Sequence, residues 1–456
     1  MSNRPGRDEV LNNILEAGDQ NVKLAIVDID GVLRGKYIHI DKFKSVVEGG
    51  FGFCDVVFGW DCADECYDNV TYTGWHSGYP DAHAQIDVST FRRVPWDDNT
   101  PFFLADFVDS EGNPSPVCPR QTLKKVIAKA DSLGFKASFG QEFEWFNFSE
   151  TPKSLYEKHF VKEELEPLTP GMFGYSVLRS GQNSAFFKAI LNDLRAFDVP
   201  VEGLHTETGP GVYEAAVLYG DALIAADRAV LFKAGLKEIG HRFGIVPTFM
   251  AKWNEALPGS SGHLHQSLWK DGTNLFFDAN DPQKLSKIFR HYVAGQMKLL
   301  PEILPLYAPT INSYKRLVEG MWAPTKVTWG IDNRTVALRA IPGSAKSTRL
   351  ETRVPGADVN PYLAVAAALA SGLYGVENEL ELTDEPIQGN GYKAEGVEIL
   401  PADLEKAALR MRDSKLVNEL LGEEFVQHFA NSRLWEWRQF QQSVTNWELR
   451  RYFEII

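Results

Sequence analysis

Residues 312–362 read NSYKRLVEGMWAPTKVTWGIDNRTVALRAIPGSAKSTRLETRVPGADVNPY, and in them Arg316, Arg334, Arg339, Arg349 and Arg353 stand in polar–apolar alternation or beside turns. Such alternation confines the stretch to strands and tight connections, because in a strand residues i, i+2 and i+4 share one face. Arg349, Glu351 and Arg353 should therefore point the same way. Two guanidiniums around one carboxylate can serve phosphate, a substrate carboxylate and a metal ion. The plainer alternative is a solvated face of cross-strand salt bridges. Trp322, in the turn after Arg316, is the odd member of the group.

Acidic pairs upstream weigh against the plain reading. Glu142 and Glu144, in GQEFEWF, lie two apart and share a strand face between aromatic neighbours. Like charges this close are unfavourable unless a proton or a cation intervenes, and hard divalent cations take oxygen ligands. Glu207 and Glu214 bracket TGPGVY, a turn that can lay two strands side by side and converge two further carboxylates. His263 and His265, in GSSGHLHQS, are again two apart after a Gly/Ser loop. A Glu/His set suits Mg²⁺ or Mn²⁺, with imidazole tilting the choice towards Mn²⁺. Neither a Walker A sequence nor a GxGxxG is present, yet metals with arginines can run phosphoryl transfer without those loops.

Composition closes off other classes. The chain has 456 residues and a formal net charge of −14, which argues against nucleic acid as a partner. Four cysteines are too few for a disulfide scaffold of this length. Cys62 and Cys66 offer two zinc ligands, but no Cys/His pair follows at zinc-finger spacing. The N-terminal MSNRPGRDEVLNN has no apolar core of a signal peptide, and no membrane-length apolar run occurs, so a cytoplasmic location is expected. Asp28-Ile29-Asp30-Gly31-Val32 is similar to the nucleophile loop of haloacid-dehalogenase-type phosphatases. That fold requires strand, loop and helix, whereas a second β-rich run follows here at once.

The expected class is α+β. Residues 1–112 form a small β-rich N-terminal domain, with a hairpin around Asp30-Gly31, and the run 112–116 marks its end. Residues 113–456 form the second domain. In it helices are expected at 120–133, 183–196, 221–243, 282–300, 361–377 and, with interruptions, from Pro401 onward. Strands are expected at 135–148, 201–219 (a hairpin), 246–253 and 262–269.

Six segments in fixed order resemble glutamine synthetases over nearly the whole chain from about Asn21: GQEFEW, HTETGPGVYE, GSSGHLHQS, NSYKRLV, NRTVALR and RLETRVPGADVNPY. The resemblance implies an N-terminal β-grasp domain and a catalytic domain built on a curved antiparallel sheet with flanking helices. It also implies a hexamer or dodecamer with active sites between subunits. ATP phosphorylates the γ-carboxylate of L-glutamate, and an amine then displaces phosphate. Glu144, Glu207 and Glu214 match the ligands of the metal nearer glutamate; Glu142, His263 and Glu351 match those of the metal nearer the ATP phosphates. Arg316 matches the grip on the α-carboxylate, Arg334 and Arg339 the arginines on the transferring phosphate, and Arg353 one near the γ-carboxyl. His265, Ser267, Arg349 and Lys346 match nucleotide contacts, and Gly259 lies in the glutamate-binding loop. Asp61, with Asp64 as the alternative, matches the aspartate a neighbouring subunit contributes to take the amine proton.

Two departures stand out. The loop Pro258-Gly259-Ser260-Ser261-Gly262 replaces the Asn-Gly-Ser-Gly-Met typical of the assimilatory enzymes. Trp322 stands where ammonia-using members carry a glutamate that closes the site and helps to bind ammonium. An indole accepts no proton, but it can cover the carbon skeleton of an organic amine. The resemblance therefore points to the γ-glutamylpolyamine and γ-glutamylamide synthetase branch, with a small organic amine as partner substrate and ordinary glutamine synthesis from ammonia as the alternative.

Overall fold

The computed structural model describes residues 6–456, so the first five residues of the expected N-terminal domain lie outside it. A six-stranded sheet comes first, from β1 (Asn21–Val27), β2 (Leu33–His39), β3 (Phe51–Cys54), β4 (Asp81–Ile86), β5 (Arg92–Val94) and β6 (Thr100–Val108). Its order is β2-β1-β6-β4-β3, with β5 beside β6 and β1 parallel to β6. β1 and β2 form the expected hairpin. Asp28 is buried in its turn and accepts from the backbone of Asp30 and Val32 and from Arg34 Nε. With a strand directly after it, Asp28 is a turn organiser and the phosphatase loop is excluded.

The second sheet holds β7 (Lys136–Phe148), β8 (Val201–Thr206), β9 (Val212–Val217), β10 (Gly220–Asp221), β11 (Val246–Thr248), β12 (Gly262–Lys270), β13 (Thr273–Asn274), β14 (Trp329–Ile331), β15 (Leu338–Ile341) and β16 (Arg349–Thr352). Its main path runs β14-β15-β16-β12-β7-β9-β8, antiparallel throughout except between β14 and β15. Together the two sheets and their flanking helices make the α+β class expected from the sequence.

β7 shows how the sequence sets this sheet. Phe139, Phe143 and Trp145 turn to the helical side and are buried, the last two packing with Phe232 and Phe249. Ser138, Gly140, Glu142 and Glu144 fall on the opposite face. Behind the sheet the helix Ala222–Arg242 and the almost wholly buried helix Pro361–Glu377 form the core. The latter approaches the helix Lys287–Leu299 so closely that a Cβ on Gly295 would lie 2.2 Å from the Ser371 carbonyl oxygen. Only glycine permits that contact.

Two expected elements are shorter than their sequence pattern. The strand at 246–253 ends at Thr248, opposite Phe146, because β12 takes over the same edge of β7 from Phe143, and the chain then turns so that Ser260 N–H donates to Ala251 O. The helix expected from Pro282 begins at Lys287. Asp281 captures the N–H groups of Gln283 and Leu285 in a turn, and Ser286 caps the helix by accepting from Phe289 N–H. No described helix is long and apolar enough to cross a membrane.

Candidate active site

The open face of the second sheet bounds a cavity of about 800 Å³. Strand register brings the charged residues together in rows. Glu144 on β7 lies directly opposite Glu214 on β9, and Glu214 lies opposite His205 on β8. Beside this row, Glu142 on β7 pairs with His263 on β12. A second row runs from His265 on β12 to Glu351 on β16 and Arg339 on β15. Directly opposed residues on one face have Cβ atoms about 5 Å apart, so each row holds its charged groups within reach of one another.

The first cluster is acid-rich. Glu207 continues the β8 face just past His205. Burial, then the charges of Glu142, Glu144 and Glu207, push the Glu214 carboxyl well above the usual carboxylate range. Glu142 moves the other way: burial opposes its charge, but contacts with His263 and His265 outweigh that and lower it. Two carboxyls this close share one proton, unless a cation replaces it.

The second cluster centres on Glu351, only 1% exposed, whose oxygens take Arg339 Nη1 at 2.9 Å and Arg353 Nη1. Burial would raise this carboxyl. The neighbouring His263, Arg353, His265 and Arg339 override it and hold the group at about 2. His263 Nδ1 lies 3.5 Å from Glu142 and 3.4 Å from Glu351. Burial and the Arg353 charge lower its pKa, keeping the ring in the neutral form that binds metals, and Nε2 is buried without a partner among the described residues. Glu142, His265 and Glu351 bring one ligand atom each within 4.8 Å of one another, as do His205, Glu207 and Glu214. These donor sets fit two hard divalent ions.

Arginines occupy the rest of the wall. Arg316 is 3% exposed, donates to the carbonyls of Val354 and Arg353, and has no ion pair among the described residues. A buried guanidinium with only carbonyl partners is a receptor for an anion. Gly259 lies against its stem: a Cβ there would stand 2.7 Å from Arg316 Cγ and 2.6 Å from Ala251 O. Ser261 N–H, in the same loop, donates to Glu144 Oε2 at 2.7 Å. Arg334 is exposed to the cavity with its guanidinium free of hydrogen bonds among the described residues, whereas Arg339 is tied to Asp332 and Glu351. Arg349 Nε donates to His265 Nδ1 at 3.2 Å, and Ser267 accepts from Trp269 Nε1. Lys346 sits exposed on the β15–β16 loop at the rim. Trp322 also lines the cavity, beside Met321, 62% exposed, on a backbone with φ of +61°.

Sixteen of the seventeen residues singled out in the sequence thus line one cavity. Asp61 does not. Its carboxylate is occupied with the N–H groups of Ala63 and Glu65, in a turn beside a separate cavity of about 580 Å³. Asp64 pairs with Arg34. Cys62 and Cys66 are free thiols. Two residues of the acid-rich cluster escaped the sequence reading: His205, whose ring meets Glu214, and Tyr175, which lines the cavity. His205 is two residues before Glu207, so the same alternation rule would have found it. Tyr175, whose ring stacks on His205 at 4.5 Å, is placed by a loop that carries no periodic signal.

Comparison with known proteins agrees with this geometry. Residues 116–452 match the glutamine synthetase catalytic domain. The chain is 56% identical to type-1 glutamine synthetase 2 of Dictyostelium discoideum, over 98% of this chain and 86% of that protein. It is 40% identical to a glutamate–isopropylamine ligase of a Pseudomonas species, over 95% of each. It is 38% identical to the γ-glutamylethanolamide synthetase GlnA4 of Streptomyces coelicolor, over 98% of this chain and 95% of that one. The solved structure of a GmaS/ADP complex superposes with a TM-score of 0.84 at 26% identity, covering 97% of this chain and 99% of that one. With paired carboxylates, imidazoles and arginines on one sheet face and these relatives along 95% or more of its length, the chain belongs to the glutamine synthetase family of ATP-dependent carbon–nitrogen ligases.

Proposed function

We propose that the protein joins the γ-carboxylate of L-glutamate to a small organic primary amine, at the expense of ATP. Trp322 carries the reading: an indole at the cavity rim can cover an alkyl or aryl amine but cannot pair with ammonium as a carboxylate would. The isopropylamine- and ethanolamide-forming relatives support it. The 56% identity to a glutamine synthetase favours ammonia as a second reading.

In this scheme a γ-carboxylate oxygen of glutamate takes the terminal phosphoryl group and ADP leaves. The amine nitrogen then attacks the acyl carbon, the C–O bond to phosphate breaks, and the nitrogen gives up a proton. Arg316 holds the α-carboxylate, with Gly259 leaving room for it. Arg334 and Arg339 meet the charge that develops on the transferring phosphoryl group. Arg353 orients the γ-carboxyl. His265, Ser267, Lys346 and Arg349 hold the nucleotide. Glu144, Glu207 and Glu214 would hold one Mg²⁺ or Mn²⁺, and Glu142, His263 and Glu351 the other. Bound there, such ions screen phosphate charge and polarise the reacting oxygens. Asp61 lies outside its own chain's cavity, so it would act by serving a neighbouring copy's site, within a hexamer or dodecamer. Residues 1–112 form the domain that presents it, and 113–456 the catalytic domain.

The test is ATP-dependent phosphate release with glutamate and a panel of ammonium, methylamine, ethanolamine, isopropylamine, putrescine and aniline. An organic amine should give the highest kcat/KM, and Trp322→Glu should move preference towards ammonium. If ammonium is the best substrate of the unaltered protein, the proposal fails and the glutamine synthetase reading stands.

A further inference from the structure

We infer that His205 supplies a nitrogen ligand to the ion held by Glu207 and Glu214, and that this ligand favours Mn²⁺ over Mg²⁺ at that position. The inference rests on the proposed reading only in placing a divalent ion at these carboxylates; it is independent of which amine is used.

Register places the ring. His205 is directly opposite Glu214, and Glu214 directly opposite Glu144, so one imidazole and two carboxylates stand in a single row across three adjacent strands. His205 Nε2 lies 3.2 Å from Glu214 Oε1. Neighbouring ligands of an octahedral ion with bonds of about 2.1 Å are about 3 Å apart, so this pair already spans one edge of such a polyhedron.

The hydrogen bonds decide which nitrogen faces the carboxylates. Nδ1 lies 3.2 Å from the backbone oxygen of Thr206. A carbonyl only accepts, so Nδ1 carries the hydrogen, and in the neutral ring Nε2 presents its lone pair to the Glu214 oxygen. Two acceptors at that distance repel unless something positive lies between them. A proton can bridge only this pair, whereas a divalent cation can also serve Glu207, whose Oε1 lies 3.9 Å from Nδ1 and which brings a ligand atom within 4.8 Å of those of His205 and Glu214. An imidazole that donates its far N–H to a backbone carbonyl is the usual arrangement around a metal-binding histidine, because it fixes tautomer and orientation together.

Two further contacts hold the ring in this pose. Tyr175 stacks on it with planes 20° apart, and Tyr175 N–H donates to the same Thr206 oxygen. Nitrogen donors raise affinity for Mn²⁺ relative to Mg²⁺, which demands oxygen and gives up its waters reluctantly.

The experiment uses the full-length protein in its native assembly, stripped of metal and titrated with Mn²⁺ or Mg²⁺ without substrates. Binding is followed by calorimetry, and directly bound ¹⁴N by pulsed electron paramagnetic resonance of the Mn²⁺ form. In His205→Asn one class of Mn²⁺ sites should weaken about tenfold or more while the other is unchanged, and one nitrogen coupling should disappear. Mg²⁺ affinity should fall less. His205→Glu, which restores a ligand but makes it oxygen, should recover Mg²⁺ binding without the coupling. A structural hydrogen bond from His205 to Glu214 would leave the nitrogen couplings intact. Unchanged couplings and unchanged Mn²⁺ affinities in His205→Asn overturn this inference alone. No Mn²⁺ binding by the unaltered protein overturns the placement of ions at these carboxylates as well.

Discussion

Replacing Arg120 by methionine should destabilise the fold by about 4 kcal/mol. Arg120, 1% exposed, opens the helix Pro119–Ser132 and binds three aspartates at once. Nε and Nη2 reach Asp227 at 2.8 and 3.0 Å, Nη1 reaches Asp106 at 2.8 Å, and Nη2 reaches Asp87 at 2.8 Å. Asp106 lies on β6 and Asp227 on the helix Ala222–Arg242, where it also accepts from Tyr362 Oη. One guanidinium therefore ties the first sheet to the helices that carry the second. Removing one partner of a buried ion pair costs about 3–5 kcal/mol, because the remaining charge stays desolvated. Asp87 gives a partial check. Burial would raise its carboxyl, yet the charge of Arg120, a hydrogen bond from Ser89 and the charge of Lys124 bring it down to about 2. A depression of nearly two units below the ordinary value corresponds to about 2.5 kcal/mol, only part of it owed to Arg120.

An unfolding entropy of about 2.1 cal/mol/K per residue gives about 1 kcal/mol/K for this chain, so the melting temperature should fall by about 4 °C if it unfolds as one unit, and by more if a smaller unit gives way first. Calorimetry and urea unfolding at neutral pH measure it. Arg120→Lys should fall between the two, since one ammonium cannot span three carboxylates. The pH dependence has a definite sign. The folded pKa of Asp87 lies below its unfolded value, so its contribution is complete above about pH 4 and lost as pH falls towards 2. A methionine variant melting within 1 °C of the unaltered protein, with the same acid limb, would refute the reasoning.

Arg334→Ala should lower kcat by a factor of a hundred or more, about 3 kcal/mol of barrier, with nucleotide binding retained; equal loss of nucleotide affinity would place Arg334 on the ground state instead. Metal binding near neutral pH should release about one proton per site, because the Glu214 carboxyl is held protonated by burial and its three acidic neighbours until a cation replaces the proton. Calorimetric titration with Mn²⁺ in buffers of different ionisation enthalpy reads this directly, and a heat independent of buffer would contradict it.

The alternation of Glu142 with Glu144, of His263 with His265, and of Arg349, Glu351 and Arg353 was sufficient to put each set on one strand face, since side-chain direction along a strand is local geometry. The same rule would have caught His205. Helix limits at Ser132, Ala196, Arg242 and Glu377 fell within about two residues of their pattern. The helix before the arginine stretch did not, because Asp281 and Ser286 recruit backbone N–H groups that hydrophobic periodicity ignores.

What the sequence by itself determined, then, is which side chains share a strand and which family they belong to. Only the tertiary structure decided which strands lie next to which. Glu144 meets Glu214, Glu142 meets His263, and His265 meets Glu351 through pairings between segments tens to more than a hundred residues apart. Such register is set by how a whole sheet buries its far face on Phe143, Trp145 and the helices behind them. Tertiary structure likewise leaves Arg316 without an ion pair among the described residues, stacks Tyr175 on His205 and keeps Asp61 out of its own chain's cavity, because each depends on neighbours that no local pattern encodes.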